Sequence, residues 1–401
     1  MSIFSIFKVT VLSLCFCFVS CGQKQNPKPA EERKAIVVAA NRTADYLPLL
    51  QDQKVGVVAN QTSVVFHSHG YTHLVDSLLS RNIAIKKVFA PEHGFRGKAD
   101  AGEKVSDGVD TKTGLPIISL YGKNRKPSQE QLQGLDIILF DIQDVGVRFY
   151  TYIATLQLMM EACAEANVPL VLLDRPNPNG HYVDGPTMEP EHTSFLGMNE
   201  IPLVYGMTIG EYAQMVNGEG WLENDLKANL TVVPLENYRH ESGYSLSIRP
   251  SPNLPNDTAI TLYPSLGLFE GTNINAGRGT EFQFQRYGAS FLDSTAYDFS
   301  YVPKPNFGSK YPKEEGKACF GKDLSTHSRM QEVSLQWLID AYQNCTDKSM
   351  FFNTSGFTKH AGTSTLQQHI EAGRSETEIK ATWQKDLDRF HSVRKKYLLY
   401  P

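Results

Sequence analysis

The chain has 401 residues, with 39 Lys and Arg against 43 Asp and Glu, a formal charge of -4 at pH 7, and 41% hydrophobic residues. That length can bury a large core and predicts two domains rather than one. The slightly acidic balance argues against a nucleic-acid binder, which would present a basic face.

The first twenty residues carry Lys8 as their one charged side chain, then the apolar run "VTVLSLCFCFVS", which stops at Cys21. This reads as a secretory signal, too short to span a bilayer. Its end, "VSCG", looks like a lipobox, so Cys21 is expected to become a lipidated mature N-terminus, followed by the polar tether "GQKQNPKPAEER". Acyl chains bind through buried CH₂ groups, so the protein is expected at a membrane through its anchor only. The expectation is an exported bacterial lipoprotein facing the periplasm. Cys163, Cys319 and Cys345 remain, an odd and sparse set with no metal-ligand spacing. One bridge, Cys319 to Cys345, stays open in an oxidising compartment.

From Val55 to about Leu235 apolar runs alternate with helical patterns. "VGVVA" reads as a strand, "HLVDSLLSR" as a helix and "IAIKKVFA" as a strand; "LPIISLYG" follows as a strand or edge, then "PSQEQLQG" as a short helix opened by proline, then "LDIILF" as a buried strand. Phe149, Ile153, Leu156, Met160 and Cys163 form one apolar stripe of a helix. "VPLVLL" is a strand, "TIGEYAQMVNGEG" a helix opened by Thr208 and stopped by glycines, and "ANLTVVPL" a final strand. Near-continuous apolar strands between helices indicate a parallel sheet covered on both faces. The fold class is therefore α/β, a Rossmann-like domain over 36–238 behind a signal (1–20) and tether (21–35). No nucleotide is expected, since no GxGxxG lies between a strand and a helix and "NAGRGTEF" is no P-loop.

Beyond about residue 240 the rhythm changes to Pro-, Asn- and Tyr-rich segments, then the helix "VSLQWLIDAYQN" and a long charged helix "ETEIKATWQKDLDRFHSVRKKYLL". This predicts a smaller, mixed α+β domain, 239–401, completing a cleft.

Ligands of open parallel sheets bind beyond the carboxyl ends of the strands. Four predicted strands end there in polar clusters: Asn60, Gln61 and Thr62; Glu92, His93 and Arg96; Asp141, Gln143, Asp144 and Arg148; Asp174, Arg175 and Asn177. Pro91 keeps Ala90 extended and Gly94 and Gly97 let the loop double back, so Glu92 can be held at the strand mouth. A carboxyl against an apolar wall can act as a general acid near neutral pH. The bland alternative is a surface loop in which Glu92 and Arg96 pair. Asp141, Gln143 and Asp144 offer oxygen ligands for Mg²⁺ or Ca²⁺ but lack a third carboxylate. His67, His69 and His73 suit a polar helix entry better than zinc. "LFEGTNINAGRGTEFQF" crowds Glu270, Thr272, Asn273, Asn275, Arg278 and Glu281 among glycines and is expected to supply the cleft from the second domain. No metal and no cofactor is expected.

"VGVVANQTSV", "FAPEHGFRG", "DIQDVGVRFYTYI", "LDRPNP", "PSPNLP" and "LFEGTNINAGRGTEFQF" together resemble the bacterial exo-β-N-acetylmuramidases of the NamZ type, in the same order from about residue 35 to the C-terminus. The resemblance implies a glycoside hydrolase that removes single N-acetylmuramic acid residues from non-reducing ends of peptidoglycan fragments. It also implies a Rossmann-like domain without nucleotide joined to a smaller domain, with the site between them. It makes Glu92 the catalytic candidate. Tyr150 and Asn253, which lie in two of the quoted blocks, are further substrate-binding candidates. Such chemistry needs an acid to protonate the leaving oxygen and a second group at the oxocarbenium-like centre. Asp144, Glu270, Glu281 or the substrate's own acetamido oxygen could fill that second place. The lactyl carboxylate of muramic acid favours an arginine fork, with Arg148, Arg175 and Arg278 as candidates. Two other readings stay open: a metal-dependent ester or phosphoester hydrolase using Asp141 and Asp144, and a muramoyl-glycan-binding lipoprotein without turnover.

Overall fold

The computed structural model describes residues 34–97 and 107–401. The signal, Cys21 and nearly all of the tether lie outside the described residues.

The apolar runs form one seven-stranded sheet, in spatial order Leu230–Val233, Leu170–Leu173, Ile137–Asp141, Val55–Ala59, Ile85–Ala90, Pro116–Ser119 and Gly108–Val109. All neighbours are parallel except the Gly108–Val109 edge. The chain starts in the middle of the sheet, moves out to one edge, then returns to the other side of the first strand. The switch point therefore lies between Val55–Ala59 and Ile137–Asp141, where a doubly wound sheet opens its crevice.

Period-two alternation splits the strands between two cores. Val55, Val57, Leu139, Val171 and Leu173 face one, which Tyr46, Leu50, Leu74 and Leu78 cover. Val58, Ile138, Phe140, Leu170 and Leu172 face the other, against the helices Tyr152–Ala166 and Ile209–Glu219. Burial on both faces is why these strands read as unbroken apolar runs. Thr208 caps its helix in a reciprocal box with Glu211, and left-handed Gly220 ends it.

The second core runs on without a break into the C-terminal region, taking in Leu262, Phe269, Tyr287, Trp337 and Phe390. Residues 36–401 accordingly form one compact unit. The smaller C-terminal domain holds an antiparallel sheet, Arg286–Ala289, Cys319–Asp323 and Phe299–Tyr301, with helices around it.

Several local readings need correction. "HSHGYTH" is mostly a hairpin, Val64–His67 with Gly70–His73, and only His73 caps a helix, accepting from Val75 N. "PSQEQLQG" is opened by Ser128 in a capping box, not by its proline. The long C-terminal helix is two, Glu376–Ala381 and Gln384–Arg394, broken where Trp383 turns into the core. Cys319 and Cys345 are both buried free thiols, so no bridge joins them. No helix among the described residues is long and apolar enough to cross a membrane.

Candidate active site

The loops after the two switch-point strands are stitched together. Asn60 Oδ1 accepts from Thr62 N at 2.9 Å and Thr62 Oγ1 at 2.6 Å, and that hydroxyl accepts from Gln143 N at 3.0 Å. Gln61 Nε2 donates to the carbonyls of Arg249 (3.2 Å) and Pro250 (3.1 Å), drawing the "PSPNLP" loop across the strand mouths. Tyr150 and Tyr152 hydroxyls donate to the same Pro250 carbonyl at 2.8 and 3.2 Å.

The next loop carries Glu92. His93, Gly94 and Gly97 all take positive φ (70°, 76° and 68°), which curls the chain back at once after Pro91. Phe95 anchors the curl by packing edge-on against His73 at 4.9 Å. Arg96 grips Asp110 through two bonds of 3.0 and 2.7 Å and reaches Asp76 at 3.3 Å. Those hydrogen bonds hold the Asp110 carboxyl down at about 2. Glu92 instead receives Thr151 Oγ1 on Oε2 at 2.9 Å and the Tyr121 hydroxyl. Thus the cation braces the loop from one side, and two hydroxyls orient the acid on the other.

The facing wall comes from the C-terminal half. After the helix Asp257–Leu266, the turn Gly267–Gly271 presents Glu270, whose Oε1 meets Arg278 Nε at 3.1 Å. Burial alone would raise the Glu270 carboxyl, but Arg278, Lys313 and His360 outweigh it and hold the group near 2. Lys313 Nζ donates to the carbonyls of Phe269, Glu270 and Thr272 at 3.0, 3.1 and 2.6 Å. His360 bonds Gly356 O through Nδ1 at 2.8 Å, and burial lowers its pKa. The Nδ1 proton is thereby fixed, which leaves Nε2 as the acceptor in the neutral ring. Tyr263 joins the two walls, edge-on to Phe149 (5.2 Å), Tyr150 (6.0 Å) and Phe284 (4.8 Å). Both Tyr263 and Arg278 lie within the field of Glu92.

Under the tyrosines sits Asp144. Its Oδ2 accepts from the Tyr205 hydroxyl and from Gly146 N, while Oδ1 is buried with no partner. Burial pushes its pKa up to about 7 against those donors. Gln61 Oε1 and Asn253 Oδ1 are also buried without donors.

Family models for the N-terminal and C-terminal parts of the exo-β-N-acetylmuramidase NamZ match residues 55–258 and 261–400. The chain belongs to the NamZ family. It is 38% identical over 375 residues to the peptidoglycan β-N-acetylmuramidase NamZ of Bacillus subtilis, covering 89% of each chain. Two crystal structures of DUF1343 family proteins from Bacteroides fragilis share the fold. One has a TM-score of 0.83 at 42% identity, covering 92% of this chain and 99% of the other. The second has a TM-score of 0.75 at 26% identity, covering 91% and 99%.

Within this NamZ fold several residues expected to bind substrate turn out to be spent on the frame. Arg148 is fully buried and gives its guanidinium to the carbonyls of Pro186, Ile201, His360 and Ala361. Arg175 clamps Asp141 through bonds of 2.6 and 2.7 Å, both buried, so neither is available to a lactyl group or a metal. Asp174 accepts from Thr208 Oγ1, Gly210 N and the Tyr400 hydroxyl, tying the strand to a helix and to the C-terminus. Asn177 and Gln143 donate to the backbone carbonyls of Met207 and Pro176. Thr272 caps its own turn through Phe269 O, and exposed Asn273 reaches Met350 O. Glu281 is exposed, with solvent rather than an apolar wall around it. Arg96 lines a surface cavity of about 360 Å³ beside His73 and Lys112. Among the described residues, the His/Cys/Asp/Glu group with converging ligand atoms is Glu189, Glu191 and His192, and it contains none of the expected metal ligands.

Glu92, Asp144, Tyr150, Glu270 and Arg278 do gather. Tyr121, Thr151, Tyr263, Lys313 and His360 join them without having been anticipated. Thr151 lies inside a block quoted above and two residues before Ile153 of the apolar stripe, so its place at a helix start was readable. The other four arrive through long-range packing that no local pattern announces.

Proposed function

We propose that this protein is an exo-acting glycoside hydrolase that releases N-acetylmuramic acid from the non-reducing ends of peptidoglycan glycan fragments. Its membership of the NamZ family makes it a glycosidase directed at peptidoglycan. The observation that carries the reading furthest is Glu92, set at the strand mouth by Thr151 and Tyr121 and close enough to Tyr263 and Arg278 for its charge to act on both.

Glu92 is the acid that protonates the leaving oxygen. Of the carboxylates that could meet the developing positive charge, Asp144 is sealed beneath Tyr205, whereas Glu270 is ionised and keeps 23% of its side chain open. Glu270 is therefore the second group, stabilising the oxocarbenium-like centre by charge. Arg278 gives only Nε to Glu270, and its two terminal nitrogens remain for the lactyl carboxylate. Recognition of that carboxylate would separate a muramoyl from a glucosaminyl end.

Acylation of Cys21 would hold this cleft at a membrane surface facing the periplasm, where peptidoglycan fragments are produced. Incorporation of labelled palmitate, lost in Cys21→Ser, would support the anchor; incorporation unaffected by that change would remove it.

The enzymatic test uses a soluble form lacking residues 1–21 and two short glycans, one ending in muramic acid and one in glucosamine at the non-reducing end. Free N-acetylmuramic acid should appear from the first and not from the second. Internal cleavage of the second contradicts exo action. Tight binding of the first with no release makes the protein a muramoyl-glycan receptor.

A further inference from the structure

Of nine exposed large hydrophobic residues among those described, four lie between residues 282 and 311: Phe282 (39%), Val302 (43%), Phe307 (57%) and Tyr311 (90%). Singly scattered exposed apolar residues need no explanation. Phe307 differs, because the chain is built to display it.

Asn306 N bonds Ser309 O at 3.0 Å and Ser309 N bonds Asn306 O at 3.1 Å, closing a two-residue turn with Phe307 and Gly308 at its tip. Gly308 has φ 97°, and a Cβ there would stand 2.9 Å from Pro252 Cβ, so the turn is seated directly on the "PSPNLP" loop. Asn253 Nδ2 pins it by donating to Gly308 O at 2.7 Å. From the other side Asn306 Nδ2 donates to Thr280 O at 2.9 Å, and Lys304 N to Gly279 O at 2.9 Å, just beyond Arg278. The seat itself is part of the site: Pro250 O takes the hydroxyls of Tyr150 and Tyr152, and Tyr152 also approaches Glu92 O at 3.5 Å. Three peptide steps separate Pro250 from Asn253, at most about 11 Å. Phe307 is thus displayed to solvent by a pinned turn that rests on the loop whose Pro250 carbonyl meets Tyr150 and Tyr152.

We propose that Phe307 is a stacking platform for a sugar of the leaving-group chain, beyond the first residue past the scissile bond. An exo-acting site encloses the terminal sugar and lets the remaining glycan run outward over the rim, which is where Phe307 stands. The apolar C–H face of a pyranose fits an aromatic ring, and a Phe whose backbone is already held by its turn has only two side-chain torsions to lose when it binds. This proposal rests on the glycosidase reading above.

The test compares the muramoyl-glucosamine disaccharide, too short to reach the rim, with a tetrasaccharide or longer strand, using the parent, Phe307→Ala and Phe307→Trp. The ring is exposed, so Phe307→Ala should keep the parent melting temperature. On the disaccharide its kcat/KM should stay within about twofold; on the longer strand KM should rise about 5- to 10-fold with kcat little changed, and Phe307→Trp should restore it. An equal effect on both substrates, or none on either, overturns the platform. A parent that releases nothing from the disaccharide overturns instead the glycosidase reading on which the platform rests.

Discussion

Arg148 follows a buried strand by seven residues and looked available to a carboxylate, yet its surroundings predict a purely mechanical role. Its Nη1 donates to Pro186 O (2.6 Å) and Ile201 O (2.9 Å), and its Nη2 to His360 O (3.0 Å) and Ala361 O (2.6 Å). The last two carbonyls end the helix Thr354–Ala361, where a cation opposes the helix dipole. Burial pushes the guanidinium pKa down to about 9, which still leaves it charged at neutral pH. Arg148→Met keeps most of the stem's volume but removes every donor. Ile201 O keeps its bond from Met188 N at 3.1 Å. Each buried carbonyl left unpaired costs about 1–3 kcal/mol, so the other three give roughly 3–9 kcal/mol before relaxation and before relief of the buried charge. A net loss near 5 kcal/mol is expected, comparable with the whole stability of many domains. Arg148→Lys keeps the charge and three donors and should lose about half as much. Urea unfolding of the soluble form, followed by circular dichroism, reads both. Because the clamp positions the helix that bears His360, the Lys variant should lose turnover equally on muramoyl and glucosaminyl substrates. A Met variant as stable as the parent, or a Lys variant that selectively loses muramoyl substrates, would refute the clamp and return Arg148 to substrate recognition.

Arg278→Ala should cost more on a muramoyl substrate than on a matching glucosaminide in kcat/KM, and equal losses would remove its assignment to the lactyl group. Asp144 titrates near 7 in the folded protein against about 3.9 unfolded, so its contribution to stability is full below pH 4 and is lost as pH rises through 7. Asp144→Asn removes that dependence, so variant minus parent stability should rise by about 3 kcal/mol between pH 5 and pH 8; a flat difference would mean that Asp144 is not protonated at neutrality. Asp141→Asn leaves Arg175 buried without its carboxylate and should destabilise by about 3–5 kcal/mol in urea. Chelator treatment should leave parent activity unchanged, and a loss restored by Mg²⁺ would revive a metal-dependent hydrolase.

The parallel sheet was legible because strands buried on both faces leave an unbroken apolar record, as in "LDIILF" and "VPLVLL". The hairpin at His67 to Gly70 left none: its residues are partly exposed and hold together by backbone pairing. Trp383 broke the last helix because burying its indole outweighed continuing a charged periodic run. In the site, loop chemistry was readable where the chain itself enforces it, as in Pro91, Gly94 and Gly97 around Glu92. Whether an arginine meets substrate or frame depends on groups far away in sequence. Arg148 and Arg278 look alike in the chain, but carbonyls from Pro186 to Ala361 converge on the first, while the second meets the Glu270 carboxylate through Nε. His360 came from a region with no motif at all, carried to Glu270 by a helix whose end Arg148 holds.

The most direct measurement is release of free N-acetylmuramic acid from muramoyl-(1→4)-glucosamine by the soluble parent and by Glu92→Gln, with a chelator present throughout. The amide oxygen that Glu92→Gln keeps can still accept from Thr151 Oγ1, so the variant should fold and bind the disaccharide. The parent should release the sugar, and Glu92→Gln should lose several orders of magnitude in kcat with binding retained. Parent-like turnover by the variant would contradict Glu92 as the acid, because proton delivery to the leaving oxygen would then come from another group.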